Sequence, residues 1–197
     1  YDGLKGGTVE TITTTNISSS PALVGDRAYF GDEYGKVYGY NGTTKLWEKQ
    51  IGNSSVLSPA ISSGIAYFAL KDKLCALRVE DGEILWSYNG IEGYLYSAPA
   101  INGNSVYLGD DAGNIYVIDQ FTGNLKWKYK IPSGARIYSR LLVDRGVVYA
   151  GSRDGKLYRI ESTGTGATSS IVYNANSPIN STPAMYNNTI YFGADNG

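Results

Sequence analysis

The chain has 197 residues, 42% hydrophobic and 13% aromatic, with 25 Gly and a formal net charge of −1. That balance carries no basic excess for nucleic acid or an anionic membrane surface, and no apolar run approaches the ~20 residues of a membrane-spanning helix. A single cysteine, Cys75, excludes an internal disulfide and any multi-thiolate site, and the lack of histidine removes the commonest general base and metal ligand.

The chain begins at Tyr1 rather than Met. Tyr1-Asp2-Gly3 is similar to Tyr40-Asn41-Gly42, so a fourth strand of a preceding unit is expected over residues 8–15. From Pro21 the sequence repeats. A short strand follows the proline, where no ladder donor is needed. A second strand, rich in aromatic and β-branched residues, covers 27–31. A tight turn runs from Gly31 to Gly35, a third strand covers 36–40, and a fourth carries Trp47. The second unit runs from Pro59 through strands at 66–70 and 73–77 to Trp86. The third runs from Pro99 through 105–109 and 114–119 to Trp127. In the fourth, Leu141 replaces the proline, strands fall at 146–151 and 156–160, and no Trp follows; Val172 or Tyr173 is expected in its place. A fifth begins at Pro183, with a second strand at 189–193.

The first residue of the tight turn falls at positions 31, 69, 109, 151 and 193, in steps of 38, 40, 42 and 42 residues, and is Gly except at Ala69. Short alternating strands with frequent turns describe an all-β chain. A four-stranded unit of ~40 residues, repeated, is the size of a propeller blade. The expected fold is therefore a β-propeller of four-stranded antiparallel blades. Units fall at 20–50, 58–90, 98–130 and 138–173, with partial-blade strands in 1–15 and 181–197. Trp47, Trp86 and Trp127 are expected to dock each blade on its neighbour.

These residues carry a resemblance. Asp119-Gln120-Phe121-Thr122-Gly123 leading to Trp127 resembles the tryptophan-docking motif of the quinoprotein-like (PQQ-like) β-propeller repeats, and the Gly-x-x-x-Gly turn and Ser-x-Pro opening fit the same family. The second unit departs from it with Arg78 at the Asp119 position and Asp81 at the Thr122 position. The resemblance implies about eight blades, so the chain reads as part of a longer propeller; a five-bladed ring with an imperfect seam is the alternative.

Candidate sites are few. The second-to-third turns hold Asp32-Glu33, Asp110-Asp111, Asp154 and Asp195, a possible calcium ring, but Asp in tight turns has ordinary backbone reasons. Arg140 sits where other units have Ser20, Ser58, Ala98 and Thr182, and either faces an anion or forms an internal ion pair. With Arg136, Tyr138, Tyr94 and Tyr96 it makes the candidate ligand patch on one rim. Five Asn-x-Ser/Thr sites, Asn16, Asn41, Asn53, Asn180 and Asn187, suit a secreted or surface protein, though Asn and Ser are also turn residues.

The resemblance implies two function classes. One is a non-catalytic scaffold or binding module at the cell surface, outside the cell or in the periplasm, with protein partners, as in relatives acting in outer-membrane assembly, adhesion or receptor sensing. The other is a quinoprotein dehydrogenase using pyrroloquinoline quinone and calcium; its members typically pack the quinone against a disulfide of adjacent cysteines, which one cysteine cannot form. No catalytic residue, cofactor or metal is assigned. Carbohydrate binding on Tyr94, Tyr96 and Tyr138 is a third expectation.

Overall fold

The computed structural model describes residues 16–164 and 166–197. The strand expected over 8–15 lies outside them.

The described residues form antiparallel sheets that follow one another along the chain. The first blade is β1 (Ala22–Val24), β2 (Arg27–Gly31), β3 (Lys36–Asn41) and β4 (Thr44–Gln50). The second is β5 (Ala60–Ser62), β6 (Ile65–Ala69), β7 (Leu74–Arg78) and β8 (Ile84–Tyr88). The third is β9 (Ala100–Asn102), β10 (Ser105–Gly109), β11 (Asn114–Asp119) and β12 (Leu125–Lys130). The fourth is β13 (Leu142–Asp144), β14 (Val147–Gly151), β15 (Lys156–Ser162) and β16 (Ala167–Asn174). A two-stranded sheet, β17 (Ala184–Tyr186) and β18 (Thr189–Tyr191), follows. Within each sheet, each strand pairs with the next in sequence. The first strands β1, β5, β9 and β13 lie beside one another from blade to blade, the inner position in a propeller.

Burial follows position in the blade. The middle strands β10 and β11 are buried almost throughout, because both of their faces meet neighbouring blades. The outer strand β12 keeps Trp127 buried among exposed lysines. The apolar cores accordingly sit between blades. Tyr29, Val37 and Trp47 of the first pack on Ala66, Phe68, Cys75 and Leu77 of the second. Tyr67, Leu74 and Ala76 meet Val106, Tyr116 and Ile118, and Tyr107, Val117 and Trp127 meet Val148, Ala150 and Ile160. Cys75 is a core thiol; burial pushes its pKa up, partly offset by the hydrogen bond from Ser87.

The tryptophans lock these interfaces. Trp47 Nε1 donates to the Val79 carbonyl at 3.0 Å, and its ring lies on Gly82, where an added Cβ would stand 2.7 Å from the indole. Trp86 repeats this on the Gln120 carbonyl, at 3.1 Å, and on Gly123. Burying an indole removes roughly 200 Å² from water, about 5 kcal/mol before ordering costs. A β-bulge precedes the Trp in each of the first three blades, between Gly39 and Tyr40, Ala76 and Leu77, and Val117 and Ile118 on the partner strand. It turns the outer strand so that the indole faces the next blade.

The fourth blade corrects one expectation. Its bulge lies two residues earlier, between Leu157 and Tyr158, so Ser170, opposite Arg159, occupies the Trp register. Val172 and Tyr173 lie outside that register and are exposed, though Tyr173 still meets the next unit edge-on, its ring centroid 5.6 Å from that of Phe192. The tyrosine row fades in the same direction: Tyr29, Tyr67 and Tyr107 are buried, Tyr149 is half-buried and Tyr191 is exposed.

Turn chemistry explains the second blade's departure from the motif. In the third blade, Asp119 Oδ1 accepts from the Phe121 and Thr122 amides at 3.0 Å and the Thr122 hydroxyl at 3.1 Å. In the second, Arg78 bridges to Asp81 at 2.8 Å and Glu83 at 2.6 Å, closing the same turn with the charges exchanged.

Candidate functional site

The tight turns between second and third strands meet the loops that enter each blade. Asp110, fully buried, organises the junction at the third. Its Oδ1 accepts from the Ala112 and Asn114 amides, at 2.9 and 2.8 Å. Its Oδ2 accepts from the Gly93 amide at 3.0 Å, and from Asn114 Nδ2 and the Tyr116 hydroxyl, both at 2.8 Å. Asp32 likewise accepts from the Tyr34 and Lys36 amides and the Tyr38 hydroxyl. These acids are engaged as turn acceptors, and no cluster of three or more metal-ligating side chains forms among the described residues.

The tyrosines pay in acidity. Burial, then the bond to Asp32, pushes Tyr38 up to about 12, and burial followed by the Asp154 bond does the same for Tyr158. Asp154 is itself held low: partial burial raises it, but donation from Tyr158, Ser133, the Lys156 amide and Ser152 outweighs that.

An apolar wedge fixes each entering loop. Val56, Ile137 and Ile179 press on Gly31, Gly109 and Gly151, where an added Cβ would stand 2.4–2.5 Å from them. Leu95 bridges to Asp110. This wedge was missed in the sequence, although its signal was there: an apolar residue three or four before each Pro or Leu141. With Ile137 buried, Arg136 and Tyr138 must point the other way, toward the rim.

The rim cluster forms there. Arg136 Nη1 donates to the Tyr138 hydroxyl at 2.8 Å. Tyr96 packs on Tyr138 with ring centroids 4.7 Å apart. Arg153, not anticipated from sequence, lies over the opposite loop with its guanidinium carbon 5.5 Å from the Tyr138 centroid, against 5.8 Å for Arg136. The Arg153 amide donates to the Arg136 carbonyl at 3.0 Å, which ties the fourth blade's tight turn to its entering loop. Two cations thus flank one tyrosine. The signal for Arg153 was an arginine at the turn position that holds Glu33 and Asp111 in other blades.

Two expected members lie elsewhere. Arg140 is exposed and lines a cleft with Ala100, Ile101, Leu142 and Met185, beside the inner strands; it joins no ion pair among the described residues. Tyr94, 54% exposed, lines another cleft with Asn53, Ser54, Lys71 and Lys73. Asn16, Asn41, Asn53, Asn180 and Asn187 are all exposed. Asn16 and Asn187 adopt φ of 56° and 46°, and Asn180 Nδ2 already donates to Asp195, so backbone and turn roles account for these three.

A family model described as outer membrane protein assembly factor BamB matches residues 3–197. The chain belongs to this PQQ-like repeat family. Among curated relatives of that name, the Yersinia pestis protein is 27% identical over 164 residues, covering 74% of this chain and 41% of the relative. The Alkalilimnicola ehrlichii protein is 29% identical over 153 residues, covering 71% and 39%. The chain thus spans about two fifths of the length of these relatives. The crystal structure of BamB from Moraxella catarrhalis superposes with a TM-score of 0.75 at 18% identity, over 92% of this chain and 56% of that one. The computationally designed Ika4 protein superposes with a TM-score of 0.69 at 21% identity, over 78% and 97%. The PQQ-like blades are those of a β-propeller.

Proposed function

We propose that this chain is a non-catalytic propeller segment that docks protein partners in the cell envelope, on its periplasmic side or at the cell surface. The observation that carries the reading is the Arg136–Tyr138–Arg153 cluster with Tyr96 beside it. Tyr and Arg dominate the residues that anchor protein interfaces, and rigid loop-held anchors bind with little ordering cost. The partner surface is acidic, because among the described residues the cluster's two guanidiniums are held by an aromatic ring rather than by carboxylates. The family membership and relatives named for outer membrane protein assembly support the envelope setting.

The test is site-specific photo-crosslinking in intact envelopes. A photo-reactive residue at Tyr96 is expected to give an adduct of discrete mass, lost with Arg136→Glu or Arg153→Glu. The same probe at Lys126, on the outer strand, is expected to give none. Equal adducts from both positions, or none from Tyr96, would overturn the reading.

A further inference from the structure

The second blade's tight turn differs from its counterparts in a way the docking reading does not use. It is one residue shorter, so Leu70 takes the position of Asp32 and Asp110: its amide bonds the Lys73 carbonyl as theirs bond those of Lys36 and Asn114. The turn places Lys71, Asp72 and Lys73 at the surface, with a net positive charge where the first and third turns are net acidic. Shortening opens a cleft of about 330 Å³, lined by Gly52, Asn53, Ser54, the three turn residues and Tyr94.

That lining has a definite chemistry. It contains no aliphatic side chain, which disfavours an apolar ligand. It offers two ammonium groups, a carboxylate acceptor and an amide, together with the exposed ring of Tyr94. Ser54 Oγ is buried without a hydrogen-bond partner among the described residues, and rotation about χ1 would present it to a ligand hydroxyl or carboxylate. Mixed donors and acceptors beside an aromatic face suit a polyhydroxy ring, and the two lysines suit an acid on it. The volume lies at the small end of ligand sites.

We propose that this cleft binds an acidic sugar, a uronic-acid unit of a polysaccharide. Lys71 and Lys73 hold its carboxylate, Ser54 and Asn53 its hydroxyls, and Tyr94 stacks on its ring. The site shares no residue with the Arg136–Tyr138–Arg153 cluster, so either can fail without the other.

The experiment is a titration followed by amide chemical shifts, with oligogalacturonate as probe and a neutral oligosaccharide of equal length and inorganic phosphate as controls. Expected are saturable shifts at Asn53, Ser54, Lys71, Asp72 and Lys73. Affinity should fall about tenfold for the neutral sugar and in the Lys71→Gln/Lys73→Gln double variant, whose substitutions lie on the surface and leave the remaining spectrum unchanged. Tyr94→Ala should weaken the oligosaccharide and not phosphate. Three results would overturn the proposal: no saturable shift with oligogalacturonate, shifts indifferent to the double variant, or phosphate binding as tightly as the sugar.

Discussion

Trp47 and Tyr29 donate to one oxygen. Both belong to the first blade, and both reach the Val79 carbonyl of the second, at 3.0 and 3.1 Å. Trp86 and Tyr67 converge in the same way on the Gln120 carbonyl, at 3.1 and 3.0 Å. A buried carbonyl left without a donor is costly, whereas one with two donors tolerates losing either. Tyr29→Phe should therefore destabilise by about 1 kcal/mol, Trp47→Phe by more because the smaller ring also leaves a void against Gly82, and the double variant by more than the sum. Urea denaturation of the four proteins checks this; strict additivity would mean that the donors act independently.

Glycine at the docking turn meets two demands at once. Gly123 has φ +73°, and an added Cβ would stand 2.7 Å from the Trp86 indole. Gly146 has φ +80° with nothing within 4 Å. Gly146→Ala should cost only the left-handed backbone penalty of about 1–2 kcal/mol. Gly123→Ala should cost more, because Trp86 must also move. Thermal melts of the two variants decide it; equal shifts would leave the indole contact without energetic weight.

Acid should loosen the third blade's turn. Partial burial pushes the Asp119 carboxyl up, but the Thr122 amide, Lys126, the Phe121 amide and the Thr122 hydroxyl outweigh this and hold it at about 2. The folded pKa lies below the unfolded one, so the contribution is fully present above about pH 4 and is lost as pH falls toward 2. Asp119→Asn should flatten the stability profile within that window and leave its shape near neutrality unchanged.

Alkali acts on the opposite side. Tyr38 is pushed up to about 12, chiefly by burial and then by Asp32. Its folded pKa lies above the unfolded one, so its contribution persists below about pH 10 and is lost as pH rises toward 12. Tyr38→Phe should lose the Asp32 bond at neutral pH and be less sensitive than the parent between those limits, as followed by circular dichroism.

The repeat was legible because turns and strands impose local patterns: Gly35, Gly113 and Gly155 need positive φ at one place in each blade, and Trp47, Trp86 and Trp127 follow at nearly constant spacing. The fourth blade's displaced bulge was not, since moving one extra residue along β16 leaves composition unchanged while re-aiming every side chain beyond it. The candidate patch was half legible. Arg136, Tyr138 and Arg140 share alternation parity, yet four residues of extended chain span about 13 Å, which carries Arg140 from rim to inner strand. Arg153 was hidden for the converse reason: it meets Tyr138 through a junction between loop and turn that only the blade topology creates.

The missing indole of β16 marks a place along the array where cooperativity weakens. Each of the first two junctions is fastened by an outer-strand Trp reaching forward to the next turn, so a blade is held by the one before it. Ser170 offers the sheet of β17 and β18 no such grip, and the edge contact of Tyr173 with Phe192 is half open to solvent. In a nearest-neighbour array, opening starts at the weakest junction and spreads from there. Amide exchange should therefore run fastest in β17 and β18, reach β16 next, and leave β6, β7, β10 and β11 as the last to release their protons.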